Sequence, residues 1–225
     1  MRVMFRFEKG PQVRFISHLD LLRAMQRALL RAGLPIVWSQ GFHPHPEFSF
    51  AMALPVGAES TGEYMEVGIT GCGAREAAVR LGASLGPGLR ILDSGELLEG
   101  APSLMAAVTA SDWTLQAPEG LRADTLEALM RHREIPVEKT GKDGSRIVDI
   151  RPGILSLSLA DTPAGQFVQA RLSAGSRDNV SPYLLYKAMR PGEDTAALRV
   201  CRRELYFVKN RELRPLIELA CKEGW

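Results

Sequence analysis

The sequence lacks the long apolar runs, the signal-like N-terminus and the cysteine pattern that would assign the chain to a membrane or secreted class. No stretch reaches the roughly 18 uninterrupted apolar residues of a membrane-spanning helix. The first nine residues include Arg2, Arg6 and Lys9 and have no apolar segment of the kind found in signal peptides. The three cysteines are widely spaced, so we expect reduced thiols rather than disulfides, a cysteine-bound zinc or an iron–sulfur cluster. These absences predict a cytoplasmic protein without a membrane partner.

Motifs for nucleotide and acyl-transfer chemistry are also absent from the sequence. The chain contains no P-loop, no GxGxxG, no GxSxG and no aspartate pair with metal-binding spacing, so we expect no cofactor. Its 28 Lys and Arg nearly balance 26 Asp and Glu, and 45% of its residues are hydrophobic, as in ordinary globular proteins. The length of 225 residues allows one large domain or two domains of about 110 residues.

The hydrophobic patterns predict an α+β fold class with two tandem ferredoxin-like (β-α-β-β-α-β) domains, each with an antiparallel sheet. In the first half the predicted order is strand 3–8, helix 18–32, extended segments 35–39, 47–53 and 63–69, helix 75–85 and strand 89–94. In the second half it is strand 113–116, helix 123–132, extended runs from 137 to 172 with a hairpin turn at 139–145, helix 182–189 and strand 198–207. The predicted domains are 1–97 and 111–210, with a linker at 98–110 and a tail at 211–225 that adds a short helix or stays irregular.

The segment from Trp38 to Phe50 is the most unusual part of the sequence and reads WSQGFHPHPEFSF. Two histidines, two prolines and a glycine within six residues predict a rigid polar loop that folding alone does not require. In an extended backbone His43 and His45 project to the same side. Packing within the protein and contact with RNA or another ligand are the two main interpretations.

A metal site is a third interpretation of the same histidines. His18, at the start of the first helix, can approach His43 and His45, and Asp20 or Glu47 can supply a fourth ligand. Imidazole and carboxylate groups are suitable ligands for zinc or iron. The HxH pattern alone is a weak signal, and we therefore expect no metal.

A basic stripe runs along the first predicted helix. Arg23, Arg27 and Arg31 follow at intervals of four residues and share one face, and the first 31 residues hold seven basic side chains against two acidic ones. Such a stripe is either a solvated helix face or a surface for phosphate groups. The strands lack the aromatic pair of RNA-recognition motifs, so RNA would bind through its phosphates and the polar loop. A second basic segment follows near the C-terminus: Arg199, Arg202, Arg203, Lys209, Arg211 and Arg214.

Catalysis is an alternative to simple binding. His18 with Ser17, or His43 with Tyr64, can supply an acid and a base for RNA cleavage without a metal. Recognition of a peptide substrate at a sheet edge is a further alternative.

Several motifs resemble those of the uncharacterised family of radical-SAM-linked proteins. They are RFISHLDLLR at 14–23, ALLRAGLP at 28–35, SQGFHPHP at 39–46, Ser49-Phe50, LPVG at 54–57 and Glu63-Tyr64, with a looser match to Arg203-Glu204-Leu205-Tyr206. In that family the domain is a separate protein encoded beside a B12-binding-type radical SAM protein, or it is fused to the C-terminal end of that protein. The resemblance therefore implies a radical SAM protein as partner. Because family members often have Asn at the position of His43, it favours His45 as the functional histidine.

Taken together, these patterns predict an accessory substrate-binding protein rather than an enzyme, working with a radical SAM protein and binding structured RNA. An RNA-processing enzyme that uses His18, His43 and His45, and a peptide-recognition module, are the alternatives. The residues expected to contact the substrate or RNA are Arg14, Ser17, His18, Asp20, Arg23, Arg27, Arg31, Ser39, Gln40, Gly41, Phe42, His43, His45, Ser49 and Tyr64.

Overall fold

The computed structural model describes residues 1–141, 144–176 and 178–221. Within these ranges the protein is a mixed α+β structure in which ten strands form one curled, mostly antiparallel sheet and two form a separate hairpin. The predicted α+β class is therefore confirmed. None of the helices in these ranges is long and apolar enough to cross a membrane.

The helices and strands follow the predicted order closely, with additions at the middle and at the end. The helices are α1 (His18–Arg31), α2 (Ala74–Ala83), α3 (Leu104–Ala107), α4 (Ala123–Arg131) and α5 (Pro182–Met189). The strands are β1 (Arg2–Lys9), β2 (Phe48–Phe50), β3 (Glu59–Gly68), β4 (Leu89–Leu97), β5 (Ala110–Gln116), β6 (Pro136–Gly141), β7 (Gly144–Asp149), β8 (Ile154–Thr162), β9 (Gly165–Ser173), β10 (Val200–Lys209), β11 (Glu212–Pro215) and β12 (Ala220–Cys221).

In the first half, β1 lies between β4 and β3, and β2 pairs with β3. The alternation in β1 places Val3, Phe5 and Phe7 on one face, where they pack against α1 and α2. Helix α1 buries residues such as Met25 and Leu29, whose spacing of four brings them onto the same side of the helix. The opposite face of this half is also covered, by α3 and by a 3-10 helix at Leu216–Leu219.

In the second half the strand order is β10-β5-β9-β8, and β6 and β7 form the separate hairpin. Trp113 and Leu115 of β5 face α4 and α5 in a second core. The β6–β7 pairing confirms the predicted hairpin, whereas residues 142–143 of its expected turn lie outside the described ranges. The face of this half opposite to the helices carries mainly polar side chains.

The two halves are joined through strands β3 and β10. These strands run parallel and pair at Cys201 with Glu59 and at Arg202 with Ser60. The prediction of separate antiparallel sheets is therefore corrected, because one sheet continues through the joint. Sequence alternation reports which face of a strand is buried, and it contains no information about the strand that lies at its edge.

The segments expected as linker and tail contain regular structure. Helix α3 lies within 98–110 and begins at Ser103, whose hydroxyl oxygen accepts a hydrogen bond from the Ala106 amide at 3.3 Å. In the tail, Asn210 and Arg211 have positive φ angles of 53° and 66° and form the turn between β10 and β11. Strand β12 then pairs with β4 of the first half. Residues 222–225 of the tail lie outside the described part of the chain.

Candidate binding surface

Ser17 and Asp20 form the N-terminal cap of α1. The Ser17 hydroxyl oxygen accepts a hydrogen bond from the Asp20 amide at 3.1 Å, and the hydroxyl donates to Asp20 Oδ2 at 2.7 Å. This arrangement satisfies one of the free amides at the start of the helix. The SHLD motif therefore has a structural explanation, and Ser17 and Asp20 do not need a ligand to account for their presence.

His18 lies against Phe50 at the end of β2. The two rings meet edge to face with their centres 5.5 Å apart. His45 is five residues before Phe50 along an extended segment, which corresponds to about 16 Å. Among the described residues no group of three or more His, Cys, Asp or Glu is placed to hold a metal ion, so the structure does not gather His18, His43 and His45.

The loop from Trp38 to Pro46 is closed by its own backbone. Trp38 and Pro46 form an antiparallel bridge, the Ser39 amide donates to the His45 carbonyl at 2.9 Å, and the His45 amide donates to Ser39 Oγ at 3.1 Å. Gly41 at the tip has a φ of 143°, which favours glycine. The bridge and these hydrogen bonds give the loop a defined shape without burying its tip.

The side chains between Gln40 and His45 are exposed to solvent. Phe42 is fully exposed and Trp38 is 43% exposed, which is unusual for aromatic residues. Gln40, His43 and His45 are exposed as well, and Nδ1 of His45 lies 3.3 Å from the Pro46 carbonyl oxygen. Packing within the protein therefore does not account for these exposed side chains.

The loop lies at the end of the first half that is far from the joint. The Val37 amide donates to the Gly68 carbonyl, and Gly68 pairs with Arg2 at the start of β1. The joint involves Ser60, eight residues earlier on β3, which is about 26 Å away in an extended strand. The loop therefore does not lie at the junction between the two halves. Since α1 returns along β1, the loop shares its end of the molecule with the last turns of α1.

The basic stripe on α1 is partly neutralised. Arg23 lies 3.4 Å from Asp20 Oδ1, and Arg31 donates to the carbonyl of Ser84 at 2.7 Å. Arg27 is exposed and makes no hydrogen bond or ion pair with any described residue. Arg14 stacks on Phe15, with the guanidinium carbon 4.5 Å from the ring centre, and lies 3.7 Å from Glu59. Of the four arginines, Arg27 is therefore the one most available to an external phosphate.

Ser49 and Tyr64 lie inside the sheet rather than on the loop surface. Ser49 Oγ donates to Glu66 Oε1 at 3.3 Å. Tyr64 is buried and donates to Glu204 Oε1 at 2.6 Å, while Arg6 Nη2 lies 3.0 Å from Glu204 Oε2. Burial, together with the neighbouring Glu204, raises the pKa of Tyr64, so its hydroxyl stays protonated. Tyr64 therefore cannot act as an exposed proton donor or acceptor for His43.

A buried ion pair at the joint was not foreseen from the sequence. The sequence pattern groups Arg202 with the basic C-terminal segment, yet its side chain is completely buried and pairs with Glu63. Its guanidinium also donates to the carbonyls of Met52 and Ala53 at 3.2 and 3.3 Å. The sequence gives no signal for this pair, because an arginine in a basic segment is expected at the surface.

Comparison with known families finds one family to which the chain is similar over most of its length. A family described as "uncharacterized protein conserved in bacteria (DUF2344)" matches residues 2–182. The chain belongs to this family. A comparison with curated proteins finds no match. The part of this DUF2344 protein that matches includes α1, the whole Trp38 to Pro46 loop and Glu63, whereas Arg202 and Glu204 follow after it.

Proposed function

We propose that this DUF2344 protein is an accessory protein that binds structured RNA for a radical SAM enzyme. The observation that supports this best is the loop from Trp38 to Pro46, which holds a fully exposed Phe42 on a backbone-closed turn. Exposed aromatic rings on such loops stack on unpaired bases, at about 1–3 kcal/mol per base. Arg27, unpaired within the described residues and on the helix that ends near the loop, supplies charge for the RNA backbone.

The partnership with a radical SAM enzyme is supported by the resemblance of the SHLD and SQGFHPHP segments to radical-SAM-linked proteins. We also propose that each half derives from a ferredoxin-like unit. The strand order β4-β1-β3-β2 in the first half corresponds to β10-β5-β9-β8 in the second, with two helices on the same face each time. An accessory role agrees with a site made of exposed binding groups.

Titration of unfractionated bacterial tRNA into the protein at several salt concentrations tests the RNA proposal. We expect Phe42→Ala and His45→Ala to weaken binding without changing its salt dependence, because they remove base contacts. Arg27→Ala should reduce the salt slope by about one unit. Arg122→Ala, an exposed arginine on the second half that pairs with Asp124, is the matched control and should change neither quantity.

Failure of the wild-type protein to bind tRNA at low salt would overturn the RNA proposal. Cleavage of the tRNA that is lost in His45→Ala would instead support the RNA-processing alternative. The partnership has its own test, co-purification of the tagged protein with a radical SAM protein from its native cell. Persistence of that complex after RNase treatment, together with absence of tRNA binding, would favour recognition of a peptide substrate.

A further inference from the structure

The open face of the second half forms a cleft that the loop surface does not reach. Strands β5, β8, β9 and β10 line it, and its volume is about 700 Å³, within the range of small-molecule sites. The small side chains on β8, such as Ser156 and Ser158, leave the cleft open above the strand and supply hydroxyl groups. The cleft thus combines room for a ligand with hydrogen-bonding groups.

A β-bulge in β10 directs an arginine into this cleft. Arg202 pairs with Trp113 and Glu204 with Asp112, so Arg203 is an additional residue in β10. Because of the bulge, Arg203 and Glu204 both lie on the open face, although consecutive residues of a regular strand point to opposite faces. Gly62 on β3 allows this geometry, since a Cβ there would overlap the Arg203 carbonyl.

The guanidinium of Arg203 is held in place but not neutralised. Its Nε donates to Thr114 Oγ1 at 2.9 Å, and its terminal amino groups make no hydrogen bond or ion pair with any described residue. The other arginine of the cleft, Arg171, is different, because it pairs with Asp112 through two bonds of 2.7 and 2.8 Å. The charges of that pair cancel, so Arg203 gives the cleft a surplus positive charge.

An aromatic ring lines the same space as this charge. Phe167 and Arg203 line both the main cleft and an adjoining cavity of about 310 Å³. Arginine donates two parallel hydrogen bonds to phosphate oxygens, and an aromatic face accepts a planar base. Arg203 therefore suits the phosphate, and Phe167 the base, of one nucleotide.

We infer that this cleft binds a phosphate ester of nucleotide size, with Arg203 holding the phosphate and Phe167 contacting the base. The site lies on the other half from the proposed RNA-binding loop, and it does not depend on that proposal. Thr114 acts as a positioning residue, since its hydroxyl fixes the direction of the Arg203 side chain.

Calorimetric titration with adenosine 5′-monophosphate, ribose 5-phosphate and adenosine tests this inference. We expect the monophosphate to bind most tightly, ribose 5-phosphate more weakly and adenosine weakest. Arg203→Gln should lower the affinity for the monophosphate by about ten- to a hundredfold. Phe167→Leu should reduce the preference for the monophosphate over ribose 5-phosphate. Thr114→Val should weaken the binding of both phosphate esters.

Two controls separate this site from the rest of the molecule. Arg122→Gln removes an exposed charge outside the cleft, and Arg27→Ala removes the proposed RNA contact; neither should alter monophosphate binding. Thermal unfolding of Arg203→Gln should match that of wild type, since the side chain is exposed. Equal affinities of wild type and Arg203→Gln, or equal affinities for adenosine and its monophosphate, would overturn the inference.

Discussion

Arg202 and Glu63 connect the two halves of the protein through a buried ion pair. Arg202 Nε donates to Glu63 Oε1 at 2.7 Å, and Nη2 donates to Oε2 at 2.6 Å. Arg202 belongs to β10 and Glu63 to β3, the strands that form the joint. The guanidinium carbon also lies 5.4 Å from the centre of the Trp113 ring. The pair therefore fixes how the sheet continues from one half to the other.

Arg202→Met should lower the free energy of unfolding by about 3–5 kcal/mol, because it leaves the Glu63 carboxylate buried without its partner. Urea denaturation measures this loss. The double variant Arg202→Met with Glu63→Leu should regain much of it, since both charges are then removed. Arg131→Met, which removes an exposed i,i+4 pair with Glu127, is the control and should change stability by less than about 0.5 kcal/mol.

Lys9 should make stability depend on pH between about 8 and 10.5. Its ammonium donates to the carbonyls of Arg14 and Ala58 at 2.8 and 3.3 Å, and burial lowers its pKa from 10.5 to about 8. Glu63 opposes this effect and Arg202 adds to it. Between the two pKa values the unfolded chain binds more protons, so this group adds stability as the pH rises, by up to about 1.4 kcal/mol per unit.

Urea unfolding of wild type and Lys9→Met from pH 7.5 to 9.5 measures this contribution. The difference in stability should shift in favour of wild type as the pH increases. Other titrating groups cancel in the comparison because both proteins contain them. Parallel pH profiles for the two proteins would contradict the prediction.

Gly62→Ala should destabilise the protein by about 2 kcal/mol or more, because the new methyl group meets the backbone of Arg203 and Glu204. Gly82→Ala is the matched control. Gly82 lies in α2 with open space at its Cβ position, so alanine there should stabilise the protein by about 0.5–1 kcal/mol. Thermal unfolding of both variants gives the comparison, and equal effects would show that the contact at Gly62 is unimportant.

Ser17→Ala should lower stability by about 1 kcal/mol through loss of the α1 cap. Ser17→Thr keeps the acceptor oxygen and should retain most of that stability. Neither change should alter tRNA binding, since the Ser17 hydroxyl already forms hydrogen bonds with Asp20. A loss of tRNA affinity in Ser17→Ala at temperatures where the protein is fully folded would restore Ser17 to the binding surface.

Elements with a clear hydrophobic period were predictable from the sequence. Helix α1 was expected at 18–32 and extends over His18–Arg31, and β1 was expected at 3–8 and extends over Arg2–Lys9. Helix α3 and strands β11 and β12 were not predicted. They are short, and tertiary contacts rather than local pattern stabilise them; Leu104 of α3 and Ala220 of β12, for example, belong to one buried cluster with Met4.

The binding surface was predictable only where a residue type is unusual for its position. The exposed loop with Phe42 and His45 stood out because packing does not require those residues. Tyr64 was expected there as a catalytic partner of His43 and as part of the Glu63-Tyr64 motif, yet the alternation of β3 carries it to the face where Glu204 lies. The direction of Arg203 depends on a bulge, and single-sequence patterns do not reveal bulges.

The pairing of β12 with β4 has a consequence for how the chain reaches its fold. Ala220 pairs with Leu97 across more than a hundred intervening residues, and the adjoining Leu216 and Leu219 cover Met4 on the first half of the sheet. A chain emerging from the ribosome would leave the last residues of β4, Glu96 and Leu97, unpaired on this edge and Met4 uncovered until these residues arrive. A fragment ending at Leu97 would keep that apolar patch uncovered and should self-associate. The first half therefore completes its folding only when the second half is in place.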